Sequence, residues 1–153
     1  IGVLHTPHTS LAGMPIQPAG AQEYKGVAEL YAAWADGLAD LEGFSHIAIL
    51  YWFHEATGER LRVVPFLDSC PRGVFATRAP TRPNPLGLSV VRLIAVEGCL
   101  VRFAGADMLD GTPLLDIKPW APEFDAPGEI RRGWLDGRSS SLAERRSDDR
   151  FNR

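Results

Sequence analysis

Residues 73–93 of the chain read GVFATRAPTRPNPLGLSVVRL. We interpret this stretch as a strand, a stiff loop and a second strand. Pro80, Pro83 and Pro85 each fix a backbone φ angle and bias the residue before them towards an extended conformation. A loop stiffened in this way loses little conformational entropy when a ligand binds, so its side chains are held ready. The stretch therefore predicts a binding loop between two strands, and a purely structural loop is the alternative.

The side chains on this loop are basic or hydrogen-bonding groups rather than core fillers: Arg78, Thr81, Arg82 and Asn84. Residues 69–96 contain four arginines and no acidic residue, in a chain whose formal net charge is -3. Arginine is favoured where a planar fork grips a carboxylate or a phosphate. This window therefore predicts attraction of an anionic partner, unless its arginines pair with acids from elsewhere in the fold.

The overall composition is that of one ordinary globular domain. The chain has 153 residues, of which 45% are hydrophobic and 23% are charged. No apolar run approaches the roughly 20 residues that span a bilayer. No basic-then-apolar leader opens the chain, so we expect a cytoplasmic protein without a membrane partner. Cys70 and Cys99 fit neither a metal-binding spacing nor a disulfide framework, so we expect two reduced thiols and no metal site.

Twelve prolines and fifteen glycines divide the chain into short segments, which favours strands and turns over long helices. The predicted strands span residues 1–6, 26–31, 44–54, 61–66, 73–77, 88–96, 100–106 and 112–119. The nearly continuous apolar segment 44–54 predicts a central strand that is buried on both faces, and residues 35–41 predict a short helix. A turn at Gly98 predicts a hairpin between the sixth and seventh strands. Strands at this spacing predict a mostly β fold, a small antiparallel β-barrel with one or two short helices.

The composition changes near residue 128, where arginines begin to alternate with acids and serines. We therefore divide the chain into a barrel domain at residues 1–127 and a C-terminal region at residues 128–153. That region predicts a surface helix around residues 130–135, followed by a frayed polar tail. The alternative interpretation of the tail is a basic arm that touches RNA phosphates.

A second motif lies at residues 109–120, which read LDGTPLLDIKPW. Asp-Gly-Thr-Pro is a strong turn signal. The strand after it places Asp116 and Lys118 on one face, where they form either an ion pair or part of a binding site. No Gly-rich turn of the GxGxxG type precedes a helix, which argues against the common Rossmann route to nucleotide binding.

The two motifs together closely resemble the TsaA-like family, whose members include the TrmO (YaeB) tRNA methyltransferases. The opening IGV with the following Thr6 and Pro7, and the segment LEGFSH at residues 41–46, are similar to the same family. The resemblance runs from residue 1 to about residue 125. It implies a β-barrel that works as a homodimer and takes S-adenosyl-L-methionine as methyl donor. The implied acceptor is N6 of N6-threonylcarbamoyladenosine next to the anticodon of tRNA.

The resemblance also assigns roles to individual residues. It implies that the cofactor contacts Pro15, Ile16, Gln17, His54, Glu55, Arg78, Leu88, Asp110, Gly111, Thr112 and Pro113. The candidates for holding the RNA or its threonyl carboxylate are Arg82, Asn84 and Lys118. As a hypothesis, Asp110, Asp116 or His54 accepts the proton that leaves the methylated nitrogen.

Two other functions stay open at this point. The same cofactor is compatible with a small molecule, or another modified nucleoside, as the methyl acceptor. A protein of a different class, a non-catalytic module that senses S-adenosyl-L-methionine or binds RNA, is the second alternative. Binding of the cofactor and methyl transfer to tRNA are the two measurements that separate these functions.

Overall fold

Six antiparallel strands close into a barrel in the computed structural model, which describes residues 1–126, 128–137 and 143–151. The strands are β1 (Gly2–His5), β2 (Lys25–Leu30), β3 (His46–Trp52), β6 (Leu86–Glu97), β7 (Leu100–Ala104) and β8 (Thr112–Pro119). Their order around the barrel is β1-β2-β7-β6-β3-β8, and β8 pairs back with β1. The predicted fold class is therefore confirmed.

Two further strands and several short helices lie outside the barrel. β4 (Arg62–Val63) pairs with β5 (Arg72–Gly73), and α1 spans Pro122–Asp125. The 3₁₀-helices of the described residues are Pro18–Gly20, Ala32–Leu38, Leu41–Gly43, Val74–Ala76, Gly133–Leu135 and Asp149–Phe151. In the described part of the chain, no helix has the length and apolar character that crossing a lipid bilayer requires.

The interior of the barrel holds the main hydrophobic core. Inward side chains of the strands are buried there: Leu4, Ala28, Ile47, Ile49, Val91, Val101, Phe103 and Leu114. The prediction that segment 44–54 is buried on both faces is wrong. Ile47, Ile49 and Tyr51 face the interior, whereas Trp52 is 39% exposed. The reason is that side chains alternate along a barrel strand, so only one face of the strand reaches the core.

The hairpin between β6 and β7 forms as predicted. Glu97 pairs with Leu100, which leaves Gly98 and Cys99 as a two-residue turn. Gly98 has a φ of 62°, a left-handed conformation that glycine adopts without strain. The last barrel strand, β8, also has its predicted bounds.

Local predictions fail at three places. Residues 35–41 form no α-helix, because two 3₁₀-helices take their place and Asp40, with a φ of 65°, separates them. Within the predicted strand 73–77, Val74–Ala76 form a 3₁₀-helix, and only Gly73 belongs to a strand, β5. There the Thr77 hydroxyl donates to the backbone carbonyl three residues earlier, at 2.8 Å, and the chain turns back on itself. The predicted strand 61–66 is shortened to the two residues of β4.

Residues 143–151 fold back onto the barrel domain, so the predicted frayed tail is wrong for this segment. The backbone N–H of Ser147 donates to the Met14 carbonyl at 2.8 Å, and the Ser147 carbonyl accepts from the N–H of Gly13 at 3.0 Å. Phe151 is buried in a small cluster with Val63, Phe66 and Ala79. The backbone bonds and this one aromatic anchor fix the segment, although its composition is mostly polar.

The other predictions for the C-terminal region have mixed outcomes. The predicted helix around residues 130–135 is present only as the short 3₁₀-helix Gly133–Leu135. The rest of the predicted tail, at residues 138–142 and 152–153, lies outside the described residues. The domain boundary at residue 127 stays a prediction.

Candidate functional site

A cleft opens where the first loop, the end of β3, the start of β6 and the loop before β8 meet. Its inner cavity has a volume of about 140 Å³, and Ser147, Asp148 and Phe151 form part of the wall. An outer cavity of about 700 Å³ shares several wall residues with it, among them Gln17, Arg78 and Phe151. Ligand pockets usually measure roughly 300–1,000 Å³, so a cofactor-sized molecule fits by spanning both cavities. We call the two cavities together the cleft.

Most of the residues that the sequence assigns to the cofactor meet at this cleft. Those that line its inner cavity are Pro15, Ile16, Gln17, His54, Glu55, Arg78, Leu88 and Thr112. Asp110, Gly111 and Pro113 are not part of that wall. Asp110 instead accepts a hydrogen bond from the N–H of Thr6 at 3.0 Å and lies 3.7 Å from Nδ1 of His5. It therefore anchors the turn before β8.

Arg78 is the charged side chain shared by the two cavities. The proline-stiffened loop carries it, and its Nη1 donates to Oε1 of Gln17 at 3.4 Å. The loop is shaped locally by Thr77, whose hydroxyl accepts from the N–H of Ala79 at 3.3 Å. A guanidinium in this position suits a carboxylate on a ligand, because charge-assisted pairs of this kind are strong and directional.

Arg82 and Asn84 lie beside the cleft, on a shallow pocket of about 460 Å³ that also includes Phe75. Nη1 of Arg82 donates to the backbone carbonyls of Thr77 at 3.0 Å and Ala79 at 3.3 Å. The Arg82 guanidinium therefore holds the loop in shape as well as facing this pocket. Phe75 is 76% exposed and presents an aromatic face to solvent.

Of the three candidate proton acceptors, only His54 lines the inner cavity, and its Nδ1 lies 3.4 Å from the Thr112 hydroxyl. Asp116 lies on β8, where its Oδ2 is 2.8 Å from Nζ of Lys118. Lys118 and Asp116 thus form the ion pair that the sequence left open, and both side chains are largely exposed. The catalytic and RNA-binding roles of these residues stay predictions.

The sequence did not single out three polar groups that meet at the inner cavity. The hydroxyl of Ser89 donates to Oδ1 of Asp107 at 2.6 Å, and the Tyr51 hydroxyl lies 3.1 Å from Oγ of Ser89. Tyr51 and Asp107 both line the cavity. The sequence feature that could have indicated this network is Ser89, a polar residue at an inward position of β6, where the strand otherwise carries core side chains.

Burial dominates the protonation of this network. It raises the pKa of Asp107 from 3.8 to about 7, while the Ser89 hydrogen bond and the positive charge of Arg78 lower that pKa. Burial also raises the pKa of Tyr51 far above 10, and the negative charge of Asp107 adds to that increase. Tyr51 therefore stays neutral and donates to Ser89, which donates to Asp107.

Comparison with known families decides the relationship of the chain. The model of the tRNA-methyltransferase O N-terminal domain family matches residues 3–126. The chain belongs to this family. The match covers β1 from its second residue and all of the other seven strands, and the resemblance carried by the two sequence motifs is confirmed.

Individual relatives agree with this family and differ in length. A probable S-adenosyl-L-methionine-binding protein of Pyrococcus abyssi is 46% identical over 151 residues, which cover 99% of this chain and 82% of the relative. The mouse tRNA (adenine(37)-N6)-methyltransferase is 37% identical over 137 residues, covering 85% of this chain and 32% of that protein. The crystal structure of TrmO from Pseudomonas aeruginosa superimposes with a TM-score of 0.73 at 38% identity, covering 88% of this chain and 60% of the solved chain. The chain therefore spans about three fifths of that solved structure.

The side chains of the cleft fit S-adenosyl-L-methionine. Arg78 matches the carboxylate of the cofactor. Leu88 and Phe53 supply apolar wall for the adenine ring. In the described ranges, no group of three or more His, Cys, Asp or Glu side chains is placed to hold a metal ion.

Proposed function

We propose that this protein is an S-adenosyl-L-methionine-dependent tRNA methyltransferase whose acceptor is N6 of N6-threonylcarbamoyladenosine next to the anticodon. The observation that carries the proposal is the convergence of the first loop, the end of β3 and Arg78 on one cleft, in a chain that belongs to the TrmO family. The mouse relative is a tRNA (adenine(37)-N6)-methyltransferase, and this supports the choice of atom. A tRNA acceptor would place the protein in the cytoplasm.

The residues of the cleft have distinct tasks in this proposal. Arg78 binds the cofactor's carboxylate, and Gln17 holds the guanidinium in place. Tyr51 and Phe53, packed edge to face at 5.3 Å between ring centroids, form a rigid aromatic wall. When bound, the cofactor supplies an electrophilic methyl group on a sulfonium. Catalysis then depends largely on holding the acceptor nitrogen in line with that group.

The RNA would approach over the shallow pocket beside the cleft. Arg82 and Asn84 line that pocket, and the largely exposed Phe75 offers a face on which an unstacked base can lie. Proteins recognise single-stranded RNA loops in this way, by stacking splayed bases on aromatic side chains and by hydrogen bonds to their edges. Lys118 lies outside this pocket, so we expect it to contribute less than Arg82.

A homodimer is the second part of the proposal. An apolar strip lies on the outer face of the barrel, where Trp52 is paired with Leu86 and both are more than a third exposed. Leu88 belongs to this strip and also lines the inner cavity, so a second copy seated on the strip would help to complete the cleft. Leu86 and Leu88 also border the shallow pocket, so the second copy would form one side of the path proposed for the RNA. Analytical ultracentrifugation should find a dimer that Leu86→Asp dissociates. The matched control, Phe124→Asp on α1, outside the strip and 79% exposed, should remain dimeric. A wild-type protein that sediments as a monomer contradicts this part.

Calorimetry and a methyl-transfer assay test the proposal as a whole. S-adenosyl-L-methionine should bind the wild-type protein. Arg78→Met should lose about 1.5–3 kcal/mol of binding free energy, roughly a tenfold to 150-fold loss of affinity. The control Arg92→Met, from the same acid-free window but on the exposed part of β6, should bind normally. Radiolabelled methyl groups should reach tRNA only when the tRNA carries the threonylcarbamoyl group.

A sensor or a small-molecule methyltransferase is the competing function. The Pyrococcus abyssi relative is named for cofactor binding and for no methyl acceptor, which favours this alternative. Binding of the cofactor without transfer to any tRNA would support it over the main proposal. Absence of cofactor binding would rule out both.

A further inference from the structure

A half-buried carboxylate at the inner cavity has no structural explanation. Asp107 lies in the loop between β7 and β8 and lines the cavity, yet among the described residues it forms no salt bridge. Its one side-chain hydrogen bond among them comes from Ser89, which is 1% exposed. Burying a carboxylate without an ion-pair partner costs stability, so such a group is more often kept for function than for the fold.

The network behind Asp107 sets its orientation. Tyr51, on β3, donates to Ser89, on the neighbouring strand β6, and Ser89 donates to Oδ1 of the carboxylate. Tyr51 and Ser89 lie on barrel strands and are 4% and 1% exposed, so both hydroxyls are held in fixed positions. Two hydroxyls in series therefore point a carboxylate into the cavity from the barrel side.

We propose that Asp107 is the catalytic base of the methyl transfer, and that Ser89 and Tyr51 are its positioning residues. This assignment rests on the proposed function. The lone pair of the acceptor nitrogen forms the new N–C bond, the bond between the methyl carbon and sulfur breaks, and its electron pair returns to sulfur. The N–H proton passes to the Asp107 carboxylate and then leaves through the open cleft to water. Neither Asp110 nor Asp116 is placed to do this, because both lie outside the wall of the inner cavity.

The protonation chemistry agrees with that geometry. Burial raises the pKa of Asp107 to about 7, so the carboxylate is a much stronger base than an exposed aspartate while remaining partly ionised at neutral pH. The titratable and charged groups that share the cavity wall come from the strands, the loops and the C-terminal segment: Tyr51, His54, Glu55, Arg78 and Asp148. Among these, Arg78 favours the ionised form of Asp107.

The test is single-turnover methyl transfer, at saturating cofactor and modified tRNA, as a function of pH. The wild-type rate should rise with pH and level off above an inflection near the Asp107 pKa of about 7. Asp107→Asn should lower the plateau by about 10²–10⁴-fold and abolish this inflection. Its affinity for S-adenosyl-L-methionine, measured by calorimetry, should stay near that of the wild type.

Ser89→Ala provides the second variant. The Ser89 hydrogen bond lowers the pKa of Asp107, so removing it should move the inflection to higher pH. A merely structural serine would change the melting temperature and leave the inflection in place. Ser45→Ala, an exposed serine outside the cavity wall, is the matched control and should keep the wild-type inflection.

Three outcomes overturn the assignment. An Asp107→Asn variant that keeps the wild-type rate or its pH inflection shows that another group takes the proton. A variant that loses cofactor affinity but keeps the plateau rate makes Asp107 a cofactor ligand instead. A wild-type protein that transfers no methyl group to tRNA refutes the proposed function together with the assignment, whereas an active wild type with an active Asp107→Asn refutes the assignment alone.

Discussion

Replacing Gly87 by alanine is expected to damage both the fold and the cleft. A Cβ atom at Gly87 would lie 2.2 Å, 2.3 Å and 2.7 Å from three ring atoms of Tyr51. Non-bonded carbons prefer roughly 3.5–4.0 Å, so the Tyr51 ring would have to retreat by more than about 1 Å. Tyr51 is buried, packs on Phe53, and is hydrogen-bonded to Ser89. The close approach of backbone and ring is the reason that glycine occupies this position.

The cost follows from the two interactions that a methyl group added at position 87 disturbs. Overpacking a well-filled core costs about 1–3 kcal/mol. Loss of the Tyr51–Ser89 hydrogen bond adds about 0.5–1.5 kcal/mol. For a chain of this size, where each kcal/mol shifts the melting temperature by roughly 2–4 °C, the expected fall is about 3–18 °C.

Differential scanning calorimetry of Gly87→Ala checks this expectation. Gly73→Ala is the matched control from the same motif, because a Cβ there meets no atom within 4 Å and the local φ of -62° suits alanine. The control should unfold within about 0.5 kcal/mol of the wild type. Equal melting temperatures for Gly87→Ala and the wild type would refute the proposed contact between this backbone and the Tyr51 ring.

Three further perturbations have defined outcomes. Phe103→Ala leaves a cavity at the centre of the barrel, where Phe103 is fully buried, and should lower the free energy of unfolding, measured with denaturant, by about 3–5 kcal/mol. A decrease below about 1 kcal/mol, roughly that of a surface change, would contradict the core assignment. Phe151→Ala should release the C-terminal segment from the cleft wall, so that hydrogen exchange at residues 143–151 becomes faster. Cofactor binding should weaken roughly tenfold, while the melting temperature of the barrel stays almost unchanged. Unaltered hydrogen exchange would show that Phe151 is not the anchor. Burial raises the pKa of Asp107 from 3.8 to about 7, so the folded state holds the carboxyl proton of Asp107 more tightly than the unfolded chain does. The contribution of this group to the free energy of unfolding is therefore lost as pH rises between those two values. Asp107→Asn should remove that loss, and an identical pH dependence of unfolding in the variant would refute the burial of the charge.

The barrel was predictable because its signals are local. Strand β8 begins directly after a turn signal and ends near a proline, and the hairpin turn at Gly98 is encoded by one glycine between two apolar runs. The 3₁₀-helices were not predictable in the same way. At Asp40 a non-glycine residue adopts a left-handed conformation, which is uncommon even though aspartate adopts it more often than most residues, so the local signal for it is weak.

The candidate site was predictable only where it is contiguous in sequence. Arg78 lies in a long motif, so the resemblance identified it, and the structure places it on the cleft. The network of Tyr51, Ser89 and Asp107 is assembled by pairing of β3 with β6 and by packing of a distant loop. Its members are 38 and 18 residues apart, spacings that carry no local signal.

The C-terminal segment was also not predictable, because contacts between residues far apart in sequence determine its structure. Its polar composition predicts a frayed tail, yet Ser147 forms backbone hydrogen bonds to the first loop across more than a hundred residues of sequence. Composition reports how well a segment can build its own core. It does not report whether a few specific contacts attach the segment to a core that already exists.

Mass spectrometry of nucleosides tests most directly whether this cleft methylates a tRNA base. Modified tRNA is incubated with the protein and S-adenosyl-L-methionine, digested, and compared with tRNA that lacks the threonylcarbamoyl group. We predict that N6-threonylcarbamoyladenosine gains one methyl group at N6, that unmodified adenosine gains none, and that Arg78→Met slows the reaction at limiting cofactor. A wild-type protein that binds the cofactor and leaves this nucleoside unchanged, or that methylates a different base, would contradict the proposed function.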